Sequence, residues 1–207
     1  MAVGNRRHVS ANSKSSSSPM NATLAPLCPT SSVSQSSVST THVLVDIEAL
    51  GRRPGSAVIE LAAVAFSPET GALGQSFTAR IEPEIPFTAQ LDTLEWHRKQ
   101  GTWPRAEGEQ GFYLEDALQA FSDWCETLGP VESYWSWGST YDFPLLDPVF
   151  DHCAIVPPWK YYECRCARTV WQLAFPKVRP EKRPHVALED ATAAARDLIT
   201  ALQWLKE

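Results

Sequence analysis

His42-Val43-Leu44-Val45-Asp46-Ile47-Glu48-Ala49-Leu50-Gly51 joins an apolar run to a pair of acids, and both the fold and the chemistry of this chain start from it. The apolar run before Asp46 predicts a β-strand, and residues two apart on a strand point to the same face. Asp46 and Glu48 therefore present two carboxylates on one side of a hydrophobic strand, where they can share a divalent metal. A lone acidic pair at a strand end has an ordinary reading as a turn former or a solvated charge. What lies downstream alters that balance. Asp142 falls in Trp137-Gly138-Ser139-Thr140-Tyr141-Asp142-Phe143, just after a second strand-like stretch, and His185 precedes Asp190 at the head of an alanine-rich segment.

Working outward, residues 42–48 read as a strand, 57–66 as a longer apolar strand and 75–81 as a third, after the turn Pro68-Glu69-Thr70-Gly71. Periodicity predicts helices over 91–100 and over 114–128, the latter ended by Gly129-Pro130. Then follow a strand at 134–137, a helix at 143–153, a strand at 159–163 and a helix at 166–175. A basic, proline-broken loop over 176–184 leads into a last helix at 188–205. Strands first, then strands alternating with helices, imply an α/β domain with a mixed sheet covered on its faces by helices. Each acidic segment sits at the edge of a predicted element, where such sheets gather their sites.

Residues 1–41 are rich in Ser, Thr and Asn and show neither helical nor strand period, so they read as a disordered N-terminal tail ahead of a domain at 42–207. A transit segment, or an over-extended start with Met20 as initiator, is the other reading of that composition. The chain of 207 residues carries a net charge of −6, but its first 45 residues hold three basic and no acidic side chains, which leaves an acidic body of −9. Such a body is ill suited to coating long nucleic acid by counterion release, and well suited to gathering cations and gripping a short phosphate chain. No apolar stretch approaches the roughly 18 residues of a membrane span, so no membrane association is expected. The five cysteines lack C-x-x-C spacing, which argues against a disulfide framework or a zinc knuckle and for a reducing, cytoplasmic compartment.

Asp46, Glu48, Asp142, His185 and Asp190 together resemble the signature of the DEDDh 3′-5′ exonucleases, relatives of ribonuclease T, oligoribonuclease and the proofreading subunit of DNA polymerase. The likeness spans residues 42–205 and is greatest to short bacterial and phage-type exoribonucleases, through Asp46-Ile47-Glu48-Ala49-Leu50-Gly51, Arg53-Pro54-Gly55, Leu94-Glu95-Trp96 and Trp137-Gly138. The spacing from His185 to Asp190 is that of the histidine branch; the tyrosine branch would place its tyrosine at Val186. Pro144, two residues after Asp142, is less usual, but a first helical turn accepts proline.

The resemblance implies a ribonuclease H-like fold with a five-stranded mixed sheet, and hydrolysis of phosphodiester bonds from the 3′ end of single-stranded nucleic acid, with RNA expected. It also implies two divalent cations, Mg²⁺ or Mn²⁺. In that scheme Asp46 bridges both ions, Glu48 and Asp190 complete one, Asp142 holds the other and His185 is the general base. For Ala49, Leu50 and Phe143 the residues themselves leave two readings open, contact with the terminal nucleotide or burial in the core; a homodimer is implied by the relatives. The chemistry suits the residue types: paired hard cations stabilise the attacking and leaving oxygens, carboxylates select them, and an imidazole accepts a proton near neutrality. The alternatives are a DNA-specific exonuclease, or a catalytically weak nucleic-acid-binding adaptor on the same fold. If 1–41 is a disordered tail, deleting residues 1–40 leaves the melting temperature and the rate on short substrates unchanged; a lowered melting temperature places a docked segment there instead.

Overall fold

A computed structural model of the chain describes residues 42–103 and 110–207. The expected disordered tail at 1–41 lies outside these residues. The described part holds one five-stranded sheet in the order β3-β2-β1-β4-β5, flanked by helices. The strands are β1 (His42–Ala49), β2 (Val58–Ser67), β3 (Ala72–Arg80), β4 (Ser133–Ser136) and β5 (Cys164–Cys166). The helices are α1 (Leu91–Gln100), α2 (Leu114–Thr127), α3 (Asp142–His152), α4 (Ala167–Ala174) and α5 (Ala187–Trp204). β1, β2 and β3 form an antiparallel meander, while β4 lies parallel to β1 and β5 parallel to β4. The sheet is therefore mixed, as the element order required.

Alternation along β1 sorts its side chains into two cores. Val43, Val45, Ile47 and Ala49 pack with Leu118 and Phe121 of α2 and with Leu146 and Phe150 of α3. Leu44 points the other way, into a smaller core with Val64, Phe66 and the Ala191, Ala194, Ala195 and Leu198 face of α5. Those α5 residues recur at the three- and four-residue spacing of one helical face, and their small size lets the helix axis approach the sheet closely. Asp46 and Glu48 share the Leu44 face, so they point toward α5.

Parallel pairing of β1 with β4 brings the carboxyl ends of both strands to the same edge, the usual place for a site in such sheets. β1 ends there in a bulge between Glu48 and Ala49, a device that bends a strand and re-aims its side chains.

One expected element moves. Residues 159–163 are not the fifth strand: Trp159 is buried among Phe121, Tyr134, Phe143 and Phe150, and Lys160 to Glu163 closes a turn by two backbone-directed hydrogen bonds before β5 starts at Cys164. Aromatic richness, a strand signal in sequence, here marks a core anchor. No helix among the described residues is long and apolar enough to cross a membrane.

Ala194 is fully buried on the α5 face. Ala194→Leu should destabilise the fold by about 1–3 kcal/mol through overpacking, read from urea denaturation. An unchanged midpoint would mean that α5 is not closely seated on the sheet.

Candidate active site

A cleft of about 630 Å³ opens at the carboxyl ends of β1 and β4. β1 supplies Asp46 and Glu48, the first turn of α3 supplies Asp142, and the first turn of α5 supplies Asp190, with His185 two residues before that helix. All five residues of the expected constellation line this one cleft. Glu48, His185 and Asp190 each bring a ligand atom within 4.8 Å of the other two. Asp142 and Asp190 are nearly fully buried, at 4% and 5% exposure.

Charges so placed repel. Burial first, then the carboxylates of Asp142, Asp190 and Glu48, push the Asp46 carboxyl well above the usual carboxylate range, with Arg183 acting against them. Burial followed by Asp190, Glu60 and Asp142 pushes Glu48 up to about 8. Burial lifts Asp142 to about 6, opposed chiefly by the Ser136 side chain. Asp190 is likewise raised by burial, against the pull of His185, Arg183 and the His185 backbone N–H. Its Oδ1 is buried with no hydrogen-bond partner. A buried acceptor without a donor, within a set of oxygens that disfavour their own ionisation, is what a hard divalent cation resolves. The donor set fits such a cation.

The surrounding wall was only partly legible in sequence. α1 contributes Trp96, whose ring meets His185 edge-on at 4.7 Å between centroids. Next to it, His97 is buried at 1% exposure and ties α1 to the end of β1. The Ala49 carbonyl can only accept, so Nε2 donates to it at 3.0 Å while Nδ1 accepts from the Thr102 hydroxyl at 2.7 Å. Tyr141 donates to the Gly51 carbonyl at 3.3 Å, joining the loop after β1 to the head of α3. Gly51 has no room for a side chain, since a Cβ there would lie 2.3 Å from Ser56 Oγ.

Glu60 stands directly across from Glu48 on β2 and accepts the Ala187 N–H at the start of α5 at 3.4 Å. As the one acid inside the apolar run 57–66, it carried a signal that pattern reading passed over.

Of the residues left open between a terminal nucleotide and the core, Ala49 lines the cleft. The other two face elsewhere. Leu50, 4% exposed, packs with Ala57 and Ile59, and Phe143, also 4% exposed, packs edge-on against Trp159 in the main core. The bulge after Glu48 turns Leu50 into its own cluster, and Phe143, one helical position beyond Asp142, is rotated away from the cleft side.

These charges set a pH dependence in protein stripped of divalent cations. Because Glu48 titrates near 8 instead of near 4.5, the folded state holds a proton that the unfolded chain has released, so this contribution to stability is lost as pH rises from about 4.5 to about 8. His42 and His97, lowered by burial, work in the opposite direction below about 6.5. Glu48→Gln isolates the carboxyl: in EDTA its melting temperature should exceed that of wild type by a margin that grows between about pH 6 and about pH 8. A margin that shrinks over that window rejects the electrostatic account.

Comparison with known proteins adds the following. The model of the Rv2179c-like family, a 3′-5′ exoribonuclease domain, matches residues 41–202. The nuclease domain of 3′hExo, a DEDDh family member bound to rAMP, is similar at 18% identity and TM-score 0.56, over 82% of this chain and 94% of that one. A 3′-exonuclease that recognises the 3′ end of histone mRNA stem-loop is similar at 15% identity and TM-score 0.55, over 78% and 81%. E. coli exonuclease I in complex with a dT13 oligonucleotide gives 14% identity and TM-score 0.58 over 80% of this chain, which spans 40% of that enzyme. At these identities the likenesses show the fold, which is the ribonuclease H-like one. No curated protein sequence matches the chain. The chain belongs to the Rv2179c-like 3′-5′ exoribonuclease domain family, and it is a 3′-5′ exonuclease.

Proposed function

We propose that this member of the Rv2179c-like family removes nucleotides from the 3′ ends of single-stranded RNA, with Asp46, Glu48, Asp142 and Asp190 holding two divalent cations, Mg²⁺ or Mn²⁺, and His185 acting as general base. The observation that carries the reading is the convergence of four mutually repelling carboxyls and one imidazole in a single cleft. When bound, the cations supply positive charge to the attacking and leaving oxygens of the phosphodiester.

The residues divide the remaining work. Asp46 is the carboxyl whose ionisation is opposed by burial and by all three others, which suits a ligand that both ions would share. Glu48 and Asp190, beside His185, suit the ion on the side of the attacking water, and Asp142 suits the other. An imidazole nitrogen of His185 takes the proton of that water as its oxygen bonds to phosphorus and the bond from phosphorus to the 3′ oxygen of the preceding nucleotide breaks, releasing the terminal nucleotide with its 5′ phosphate; Asp190, partnered with His185 through its backbone N–H, keeps the ring at that place.

Support for RNA comes from the family description, and support for a single strand from the size of the cleft, which admits an unstacked terminal residue more readily than a paired one. A DNA exonuclease is the second reading, favoured by the dT13 complex of exonuclease I. Digestion of matched end-labelled RNA and DNA, single- and double-stranded, with Mg²⁺, Mn²⁺ or EDTA, separates these readings from each other and from a binding adaptor.

The expected outcome is loss from the 3′ end of single-stranded RNA, abolished by EDTA. Asp46→Asn should be inactive without losing its fold, and His185→Ala should lower kcat by about 10²- to 10⁴-fold with KM little changed. Full activity in EDTA would refute the cation assignment, and wild-type kcat in His185→Ala would refute the base.

A further inference from the structure

We propose that Arg183 is a positioning residue that holds His185 in place by locking the segment before α5 between β4 and α5. The proposal rests on the general-base reading of His185 and goes beyond it.

His185 has φ of 63°, the left-handed region that a residue with a Cβ enters at a cost and keeps only where its surroundings impose it. The link back to Arg183 is stiff. Pro184 has its φ fixed by its ring, and the residue before a proline is confined to extended conformations. Fixing Arg183 therefore leaves few soft torsions between it and His185.

Arg183 is itself fixed on two sides. Its guanidinium lies 3.9 Å from the ring centroid of Trp137, just beyond β4, and its Nη2 donates to Asp197 Oδ2 at 3.1 Å. Asp197 lies seven residues after Asp190, two turns along the same face of α5. With 11% of the side chain exposed, the stacked face and the paired edge are both withdrawn from solvent. A planar guanidinium, charged at every working pH, suits this double engagement where an ammonium would not.

The rival role is direct contact with a substrate phosphate, since Arg183 also lines the cleft. Asp197 separates the two roles, because it is absent from the cleft lining and its only ionic partner among the described residues is Arg183. A positioning role makes the Asp197 variant behave like the Arg183 variant. A phosphate-binding role does not.

The experiment is a kinetic cycle on the full chain with single-stranded RNA and Mg²⁺, using Arg183→Met, the milder Asp197→Asn, His185→Ala and the double variant Arg183→Met/His185→Ala. Circular dichroism checks the fold of each, and hydrogen exchange by mass spectrometry follows residues 176–187 in EDTA. Arg183→Met and Asp197→Asn should each lower kcat about tenfold to 10²-fold with KM within about threefold of wild type, the size of effect a displaced catalytic group produces. Arg183→Met should cost nothing further in the His185→Ala background, and exchange over 176–187 should quicken in both Arg183→Met and Asp197→Asn.

A rise in KM at unchanged kcat, losses that multiply in the double variant, or unaltered exchange would overturn the proposal. Wild-type kcat in His185→Ala would overturn the general-base reading together with it. A large loss there with multiplying effects would overturn the Arg183 role alone.

Discussion

Everything at the cleft answers to one electrostatic constraint: four carboxyls that would avoid one another in water are held together at a partly dehydrated strand end. Burial and mutual repulsion both favour the protonated forms, and at Asp46 burial is joined by the charges of the other three. A fold can sustain such a cluster only where the backbone leaves no alternative. Here each acid is placed by an element committed elsewhere. Asp46 and Glu48 belong to the central strand, whose opposite face is sealed in the main core; Asp142 opens α3, which packs in that same core; Asp190 opens α5, seated by its alanine face.

The same arrangement explains why the charged wall is built as it is. Arg183 acts against the raised states of both Asp46 and Asp190, while Glu60 adds a fifth negative group opposite Glu48. The N-terminal end of α5 reconciles these two: the Glu60 carboxylate accepts from Ala187 N–H, where the helix dipole is positive. Glu60 thus supports the helix that presents Asp190 while lifting the proton affinity of Glu48. Arg183 thus opposes the raised states of Asp46 and Asp190 and Glu60 raises Glu48, while Asp190 also feels the negative Glu189 beside it.

How much of this could be read without coordinates follows from which interactions are local. β1 was legible because period-two alternation and an apolar run are properties of adjacent residues, and α1 spans 91–100 as expected. The five site residues were legible as a spaced pattern. β5 was misplaced because the aromatics around Trp159 serve a core contact with residues far away in sequence, and a three-residue edge strand has almost no periodicity to detect. Leu50 and Phe143 stayed open between the terminal nucleotide and the core for a related reason: neighbours of a residue in the cleft share its position in the chain but not its direction. Arg183 read only as one member of a basic, proline-broken loop, because its two partners, Trp137 and Asp197, lie 46 residues before it and 14 after it, joined only by the sheet and α5.

The acidic body and the basic cleft residues are compatible because charge acts over limited distance. At physiological ionic strength screening sets in over about 8 Å, so the negative groups spread over the domain contribute little at the cleft, where Arg52, Arg168 and Arg183 stand on the wall. On that wall Arg52 and Arg168 stand where a phosphate chain would enter, while Arg183 is withdrawn against Trp137 and Asp197. Residues 46–207 carry a net charge of −9, so a longer strand gains little counterion-release affinity from the body of the domain. That distribution favours a terminal grip over binding along a strand, which is the demand that removing residues one after another from an end places on a protein.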